Sequence, residues 1–245
     1  MGADQHFDWM GAAASTLDWW RDAGVDTLVD DRPRDWLAAP EFVAPPVMAT
    51  PPLAATALPD DLAAFVDWRI GGDAPEAAWR GVSIAATGPA DAEVMVLVDC
   101  PDKDDGPAGL LMTGATGRLF DRMLAAIGLS RETVHLTAVC ARRPLAGRMP
   151  REVEARLREI SLHHIELVAP KRLLLLGNAA SRAILGAEMT ASRGTLHPLN
   201  HQAGETAVVA SFHPRFLIDK PAAKAEAWKD LQLLMTAPTA KDVSA

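Results

Sequence analysis

The chain has 245 residues, 49% of them apolar, and a formal net charge of −8. That length admits one large domain, or one domain with an appendage, and an ample core. Its longest apolar runs fall far short of the ~20 residues a membrane span needs. Met1-Gly2-Ala3-Asp4 lacks the basic start and apolar block of a signal peptide, so a cytoplasmic protein without membrane partners is expected. The two cysteines, Cys100 and Cys140, cannot supply a four-cysteine cluster, and a reducing compartment argues against a disulfide between them. Charge is unevenly spread. Residues 1–76 hold 14 acidic and 4 basic side chains, and residues 77–245 hold 18 and 20. An acidic leader therefore precedes a mildly basic body suited to approach nucleic acid.

Residues 1–39 form the leader and carry Trp9, Trp19, Trp20 and Trp36, four of the seven tryptophans. Ser15-Thr16-Leu17-Asp18 resembles a helix start, which predicts a short helix from Leu17 to a stop at Gly24. Two roles are open to these tryptophans: packing back onto the body, or anchoring in the grooves of a partner. Residues 40–59 contain Pro40, Pro45, Pro46, Pro51, Pro52 and Pro59, which predicts an extended linker. The body is expected at 60–236, with a tail at 237–245.

Asp60–Trp68 has helical spacing at Leu62, Phe65 and Val66, and its leading acids suit the helix dipole. Residues 73–92 are weakly patterned. Strands then alternate with helices. Strands are expected at Val94–Val98, Val134–Val139, Arg172–Leu176 and Ala207–Phe212. Helices are expected at Gly114–Ile127, Arg151–Val168, Asn178–Leu185 and Ala222–Met235, the last with Trp228, Leu231, Leu234 and Met235 on its apolar side. This alternation predicts a three-layer α/β domain around a four-stranded parallel sheet. Right-handed crossovers bring the loops after the strands to one edge. That edge collects Asp99–Thr113, Ala138–Pro150, Gly177-Asn178 and His213–Leu217. His163-His164 are adjacent on a helix, so they point to different faces and make a poor metal pair. His197 and His201 read as surface loop residues without a third ligand.

Several of these loops carry a resemblance. Its markers are Gly114-Ala115-Thr116-Gly117-Arg118-Leu119-Phe120, Arg142-Arg143-Pro144 with Arg148-Met149-Pro150, Leu176-Gly177-Asn178, Arg193-Gly194, His213-Pro214 and Trp228-Lys229-Asp230-Leu231. In this order and spacing, residues 93–235 resemble the uracil-DNA glycosylase superfamily, most of all the bacterial type that carries an iron–sulfur cluster. The resemblance implies base flipping into a pocket and attack of water on the sugar carbon. It puts Asp99 in place of the acid that orients water, and His213 in the His-Pro motif.

This sequence also departs from that pattern. Where the family has Gly-Glu-Ala-Pro-Gly, it has Val98-Asp99-Cys100-Pro101-Asp102. Aspartate is one methylene shorter than glutamate, a difference in reach of ~1.5 Å. Met112 replaces the aromatic ring that stacks on the flipped base, and Ala138 replaces the asparagine that reads uracil's edge. The cluster cysteines fall on Arg142 and near Arg158, so no cluster and no other cofactor is expected. Asp102, Asp104 and Asp105 read as a negative cluster on the path of DNA phosphates.

The remaining backbone-binding equipment is Gly117 and Asn178 at helix N-termini, the cations Arg142, Arg143, Arg148 and Arg193, and Pro214, Arg215 and Phe216 of the His-Pro loop as cation and wedge. The arginines also fit a solvated face, His213 a capping role, and Asp99 a carboxylate capping its own loop. The leader stretch Trp20–Leu28 with Arg32-Pro33 is similar to the docking peptide of the psi subunits of bacterial polymerase III clamp loaders, which have an inactive glycosylase-like fold. Two functions follow. One is a DNA glycosylase that removes uracil or a damaged base. The other, favoured by Met112, Ala138 and the altered Val98–Asp102 loop, is a degenerate domain serving as a binding or scaffold subunit in replication or repair. It would meet DNA weakly, and a replisome or clamp-loader protein through Trp19, Trp20 and Trp36.

Overall fold

The computed structural model describes residues 8–24, 57–145 and 149–236. Trp36, Arg148, most of the proline-rich stretch and the 237–245 tail lie outside the described residues. The chain divides into two units, Met1–Ala55 and Thr56–Ala245.

The described part of the first unit is helix α1, Trp9–Asp22. It starts eight residues before the expected Leu17 because Asp8 caps it, its carboxylate accepting from the Gly11 amide at 3.1 Å. The alanine run that follows favours helix. None of its residues is buried, and Trp9 and Trp19 are each 65% exposed.

The second unit begins with α2, Leu62–Ile70, capped by Asp61. It continues with β1, Val94–Val98, α3, Asp105–Ala108, α4, Gly114–Ala126, and β2, Val134–Ala138. Next come α5, Arg151–Val168, β3, Arg172–Leu176, α6, Asn178–Leu185, and α7, Met189–Ser192. The chain then forms β4, His197–His201, β5, Gly204–Ser211, α8, Pro214–Asp219, and α9, Lys224–Thr236. No helix of the described residues is long and apolar enough to cross a membrane.

The sheet order is β2-β1-β3-β5-β4. The first four strands run parallel, and β4 pairs antiparallel with β5. The sheet therefore has five strands where four were expected. The extra one is the His197–His201 segment, expected as loop. It lies at the sheet edge with half-buried and exposed residues alternating, so it needs no apolar run and tolerates Pro198. β1 is buried along its whole length between two parallel neighbours, which is why it is uniformly apolar. Val98 pairs with both Ala138 and Leu176, and Leu176 with Ser211. Four strands thus end level, and Asp99, Val139, Gly177 and Phe212 leave the sheet together.

The weakly patterned residues 73–92 are fastened by side chains. Arg69 and Glu76 form a buried ion pair. Arg69 also donates to the Val139 carbonyl at 2.6 Å, and Glu76 accepts from the Ala141 amide at 2.8 Å. Against β2 lies a histidine chain. His135 Nδ1–H donates to the Pro89 carbonyl (3.0 Å), leaving Nε2 to accept from His164 Nε2–H (3.0 Å). His164 Nδ1 then faces the Thr137 hydroxyl at 3.4 Å. His163 bonds the Pro59 carbonyl at 2.8 Å, and both adjacent histidines flank the Phe65 ring of α2. On α9, Leu231 and Leu234 are buried, but Trp228, expected inward, is 40% exposed over a groove shared with Leu119 and Met123.

Candidate functional site

Asp99 leaves β1 and turns its carboxylate onto the N-terminus of α6. Oδ1 accepts from the Ala180 amide at 2.8 Å, and the Ala179 amide also bonds the group. Asp99 thus caps a neighbouring helix rather than its own loop. Gly177 makes this possible. Its φ is +115°, and a Cβ there would lie 2.4–2.6 Å from the carboxyl atoms of Asp99, so only glycine fits. Burial pushes the Asp99 pKa up to about 6, against the pull of the two amides, Arg215 and Arg182. The group borders a cavity of about 750 Å³ lined also by Cys100, Cys140, Asn178, Arg151 and Arg182. Arg182 is held by Glu154 and Glu188, each at 2.9 Å. Asn178, the first residue of α6, accepts from the Met189 amide at 3.2 Å.

The loop after β1 is built on Asp105, one of the three acids expected as a negative cluster on the path of DNA phosphates. Asp105 is buried and accepts from the amides of Asp102 (2.8 Å), Met112 (3.1 Å) and Thr113 (2.7 Å), and from the Thr113 hydroxyl (2.7 Å). The expected acidic cluster is therefore corrected. Asp105 is the hub of the loop, Asp102 is ion-paired with Arg215, and of the three only Asp104 is exposed. Local sequence spacing could have hinted at Asp105, because a carboxylate before a glycine-rich turn satisfies loose amides.

Met112 adopts φ +56° with its side chain buried. Its carbonyl and that of Leu111 accept from Arg131 at 2.5 and 2.9 Å. Gly117 lies directly against this turn, where a Cβ would come within 2.0 Å of the Met112 carbonyl oxygen. Gly117 is thus a close-packing glycine inside α4, not a residue at the open helix end. Ala138 ends β2 and is 7% exposed. Neither Met112 nor Ala138 lines the Asp99 cavity.

His213 is buried and caps α8, its Nδ1 accepting from the Arg215 amide at 3.2 Å. The ring proton therefore sits on Nε2. Burial, reinforced by the Arg215 charge, drives its pKa down to about 3 and keeps the ring neutral. Pro214 is buried at the first position of α8. Phe216, 40% exposed, stacks on Phe212 at 5.1 Å. Arg193 lies over the Phe212 ring at 4.7 Å, and bonds Glu226 at 2.6 Å and Asp230 at 3.2 Å. Asp230 accepts in turn from Ser211 at 2.8 Å. Arg193 thus braces the His213 loop from behind.

Arg142, expected as a DNA cation, donates to the carbonyls of Ala77 (2.5 Å) and Trp79 (2.8 Å) and to Ser83. Arg143 donates to the Pro101 carbonyl at 2.7 Å. The edge of the sheet therefore brings together Asp99, Asn178, His213, Arg143 and Arg215. It leaves Arg142, Arg193 and Gly117 in structural positions. Trp19 and Trp20 are exposed on α1.

The level strand ends of the parallel sheet thus present an acid after β1 and a His-Pro loop after β5 on one edge. Residues 85–232, more than half of the chain, match the uracil DNA glycosylase superfamily, and the chain belongs to it. Among similar proteins is the type-4 uracil-DNA glycosylase of Archaeoglobus fulgidus, 27% identical over 157 residues, which are 61% of this chain and 78% of that one. That of Pyrobaculum aerophilum is 26% identical over 163 residues, covering 63% and 83%. That of Sulfurisphaera tokodaii is 26% identical over 151 residues, covering 58% and 69%.

The iron–sulfur cluster of the resembled type does not fit these residues. Four thiolates are needed, and the chain has two cysteines. Both are buried. Burial pushes the Cys100 thiol up to about 11 and Cys140 higher still, which disfavours the thiolate a metal requires. At the cluster positions, Arg142 bonds loop carbonyls and Arg158 donates to the Ala183 carbonyl at 2.6 Å.

Proposed function

We propose that the body is a glycosylase-superfamily domain that binds DNA as an accessory and does not excise uracil, serving as a binding or scaffold subunit in replication or repair. One observation carries this reading. At the positions that would stack on and read a flipped base, Met112 and Ala138 are packed into the core and offer no side-chain hydrogen bond. A site built to read a polar edge loses its discrimination when that partner is missing. The engagement of Asp99 with the α6 amides adds support, since the carboxylate that would orient a water is already occupied as a helix cap.

The alternative is an active glycosylase. The names of the similar proteins favour it, as does the raised pKa of Asp99 beside a cavity. Incubation of the full chain with uracil-containing single- and double-stranded DNA decides between them. No abasic sites are expected. Turnover that Asp99→Ala abolishes would establish the glycosylase instead.

In the finer form of this proposal, residues 1–39 are an arm that docks on a clamp-loader protein in the psi manner, residues 40–59 tether it to the body at 60–236, and the protein works in the cytoplasm. The unburied tryptophans of α1 support an arm that completes its packing on a partner. The full chain is expected to associate with clamp-loader subunits, and a chain lacking residues 1–39 to lose the association. A full chain that fails to bind them sinks this form.

A further inference from the structure

We propose that Arg143 and Arg215 form a phosphodiester site whose resident anion is the Asp102 carboxylate. The inference rests on the reading that this edge of the body meets DNA. Arg215, on the His213 loop, reaches 113 positions back along the chain to pair with Asp102 Oδ1. Arg143 Nη1 stands 3.8 Å from the same oxygen. Two guanidinium groups converging on one oxygen is the arrangement by which arginines hold a phosphate.

The internal anion is a poor fit for its place. The side chain of Asp102 is 12% exposed, and Oδ2 is buried without a hydrogen-bond partner among the described residues. The Arg215 side chain is 44% exposed and the Arg143 side chain 28%, so solvent, and a ligand, reach both cations. Beside them opens a groove of about 480 Å³ lined by Arg80, Lys103 and Arg143, with Val82 and Leu145 exposed on its walls. A nucleic-acid strand following this groove brings a backbone phosphate to the two arginines, where it competes with Asp102. The carboxylate neutralises both cations until it is displaced, and so sets the affinity of this edge for DNA.

The test is a salt titration of the full chain on short fluorescent single- and double-stranded oligonucleotides, read by anisotropy. Asp102→Asn keeps the shape of the side chain and Asp102→Gly removes it, so one variant stands if the other is poorly folded by circular dichroism. Either is expected to bind ~10-fold tighter at low salt, with a log-affinity against log-salt slope steeper by about one to two. Adding Arg215→Ala to the Asp102→Gly chain is expected to abolish that gain. Variants that bind measurably but no tighter than the parent overturn the Asp102 site and leave DNA binding standing. If neither parent nor variants bind at any salt, the DNA-binding reading falls and this inference with it.

Discussion

Two groups of buried polar side chains lie on the sheet, and they are wired differently. Against β2, the chain Thr137–His164–His135–Pro89 gives every ring nitrogen a partner. Burial lowers the pKa of both histidines, so they stay neutral. At the level strand ends, Asp99 is kept near a pKa of about 6 by burial, and Asp102 holds an orphaned buried oxygen. Buried polar groups that serve the fold close their hydrogen bonds. Groups left strained or half-paired mark a site where something else was, or is, meant to bind. The β2 histidine chain is of the first kind and Asp99 with Asp102 of the second, while the Arg69–Glu76 pair falls between them, its Glu76 Oε2 also buried without a hydrogen-bond partner among the described residues.

The largest effect is expected on the scaffold side. Arg69→Ala strands Glu76 without its partner in the core and should remove about 3–5 kcal/mol of stability, read by urea denaturation. A loss under 1 kcal/mol would mean that residues 73–92 are not fastened by this pair. Gly177→Ala, on the site side, forces a Cβ against the Asp99 carboxylate at a φ of +115°. It should cost on the order of 2–3 kcal/mol; the part due to the clash should return when Asp99 is also replaced by glycine, while the backbone strain at this φ stays. Independent, additive losses would separate Gly177 from Asp99.

Acid sharpens the comparison because the buried histidines of both regions and Asp99 respond with opposite sign. A buried neutral histidine binds its proton less readily folded than unfolded. Stability from His135, His164 and His213 is therefore complete above the unfolded value of ~6.5 and drains away as pH falls below it. His213, at about 3 when folded, should alone account for a loss of roughly 2 kcal/mol at pH 5. Asp99 runs the other way. Its folded pKa of about 6 exceeds the ordinary 3.8, so its ionisation burdens the fold above pH 6 and is relieved below it. Asp99→Asn should stabilise the chain by roughly 3 kcal/mol at pH 7.5 and steepen the acid loss. A variant less stable than the parent at pH 7.5 would show that the α6 amides require the charge. The smallest effect should come from Phe216→Ala. It removes a half-exposed stack on Phe212 and should cost only about 0.5–1 kcal/mol, while weakening duplex binding if the His-Pro loop is a wedge.

Much of this was legible in the residues. The uniform apolar run Val94–Val98, the leucines of β3 and the spacing of α5 set the parallel strands and their helices, because a buried strand and an amphipathic helix each leave a local pattern. The same holds for the candidate site up to a point: Asp99 and His213 stand out as an acid and a His-Pro at strand ends. The edge strand β4 was not legible, because an edge needs backbone pairing with β5 and no apolar signature. The N-cap Asp8 and the alanines after it were readable, but the more visible Ser15 signal obscured them.

By itself the sequence determined the α/β alternation, the superfamily and a complement of two cysteines. Those are matters of residue type and order. Only the tertiary structure decided that Asp99 faces α6 across Gly177, that Asp105 ties the loop together, that Arg142 is bound to its own backbone, and that Arg215 meets Asp102. All but the Asp105 contacts, which span three to eight positions, join residues far apart in sequence, and the direction of a carboxylate or guanidinium is set by which amides and charges the fold brings within reach.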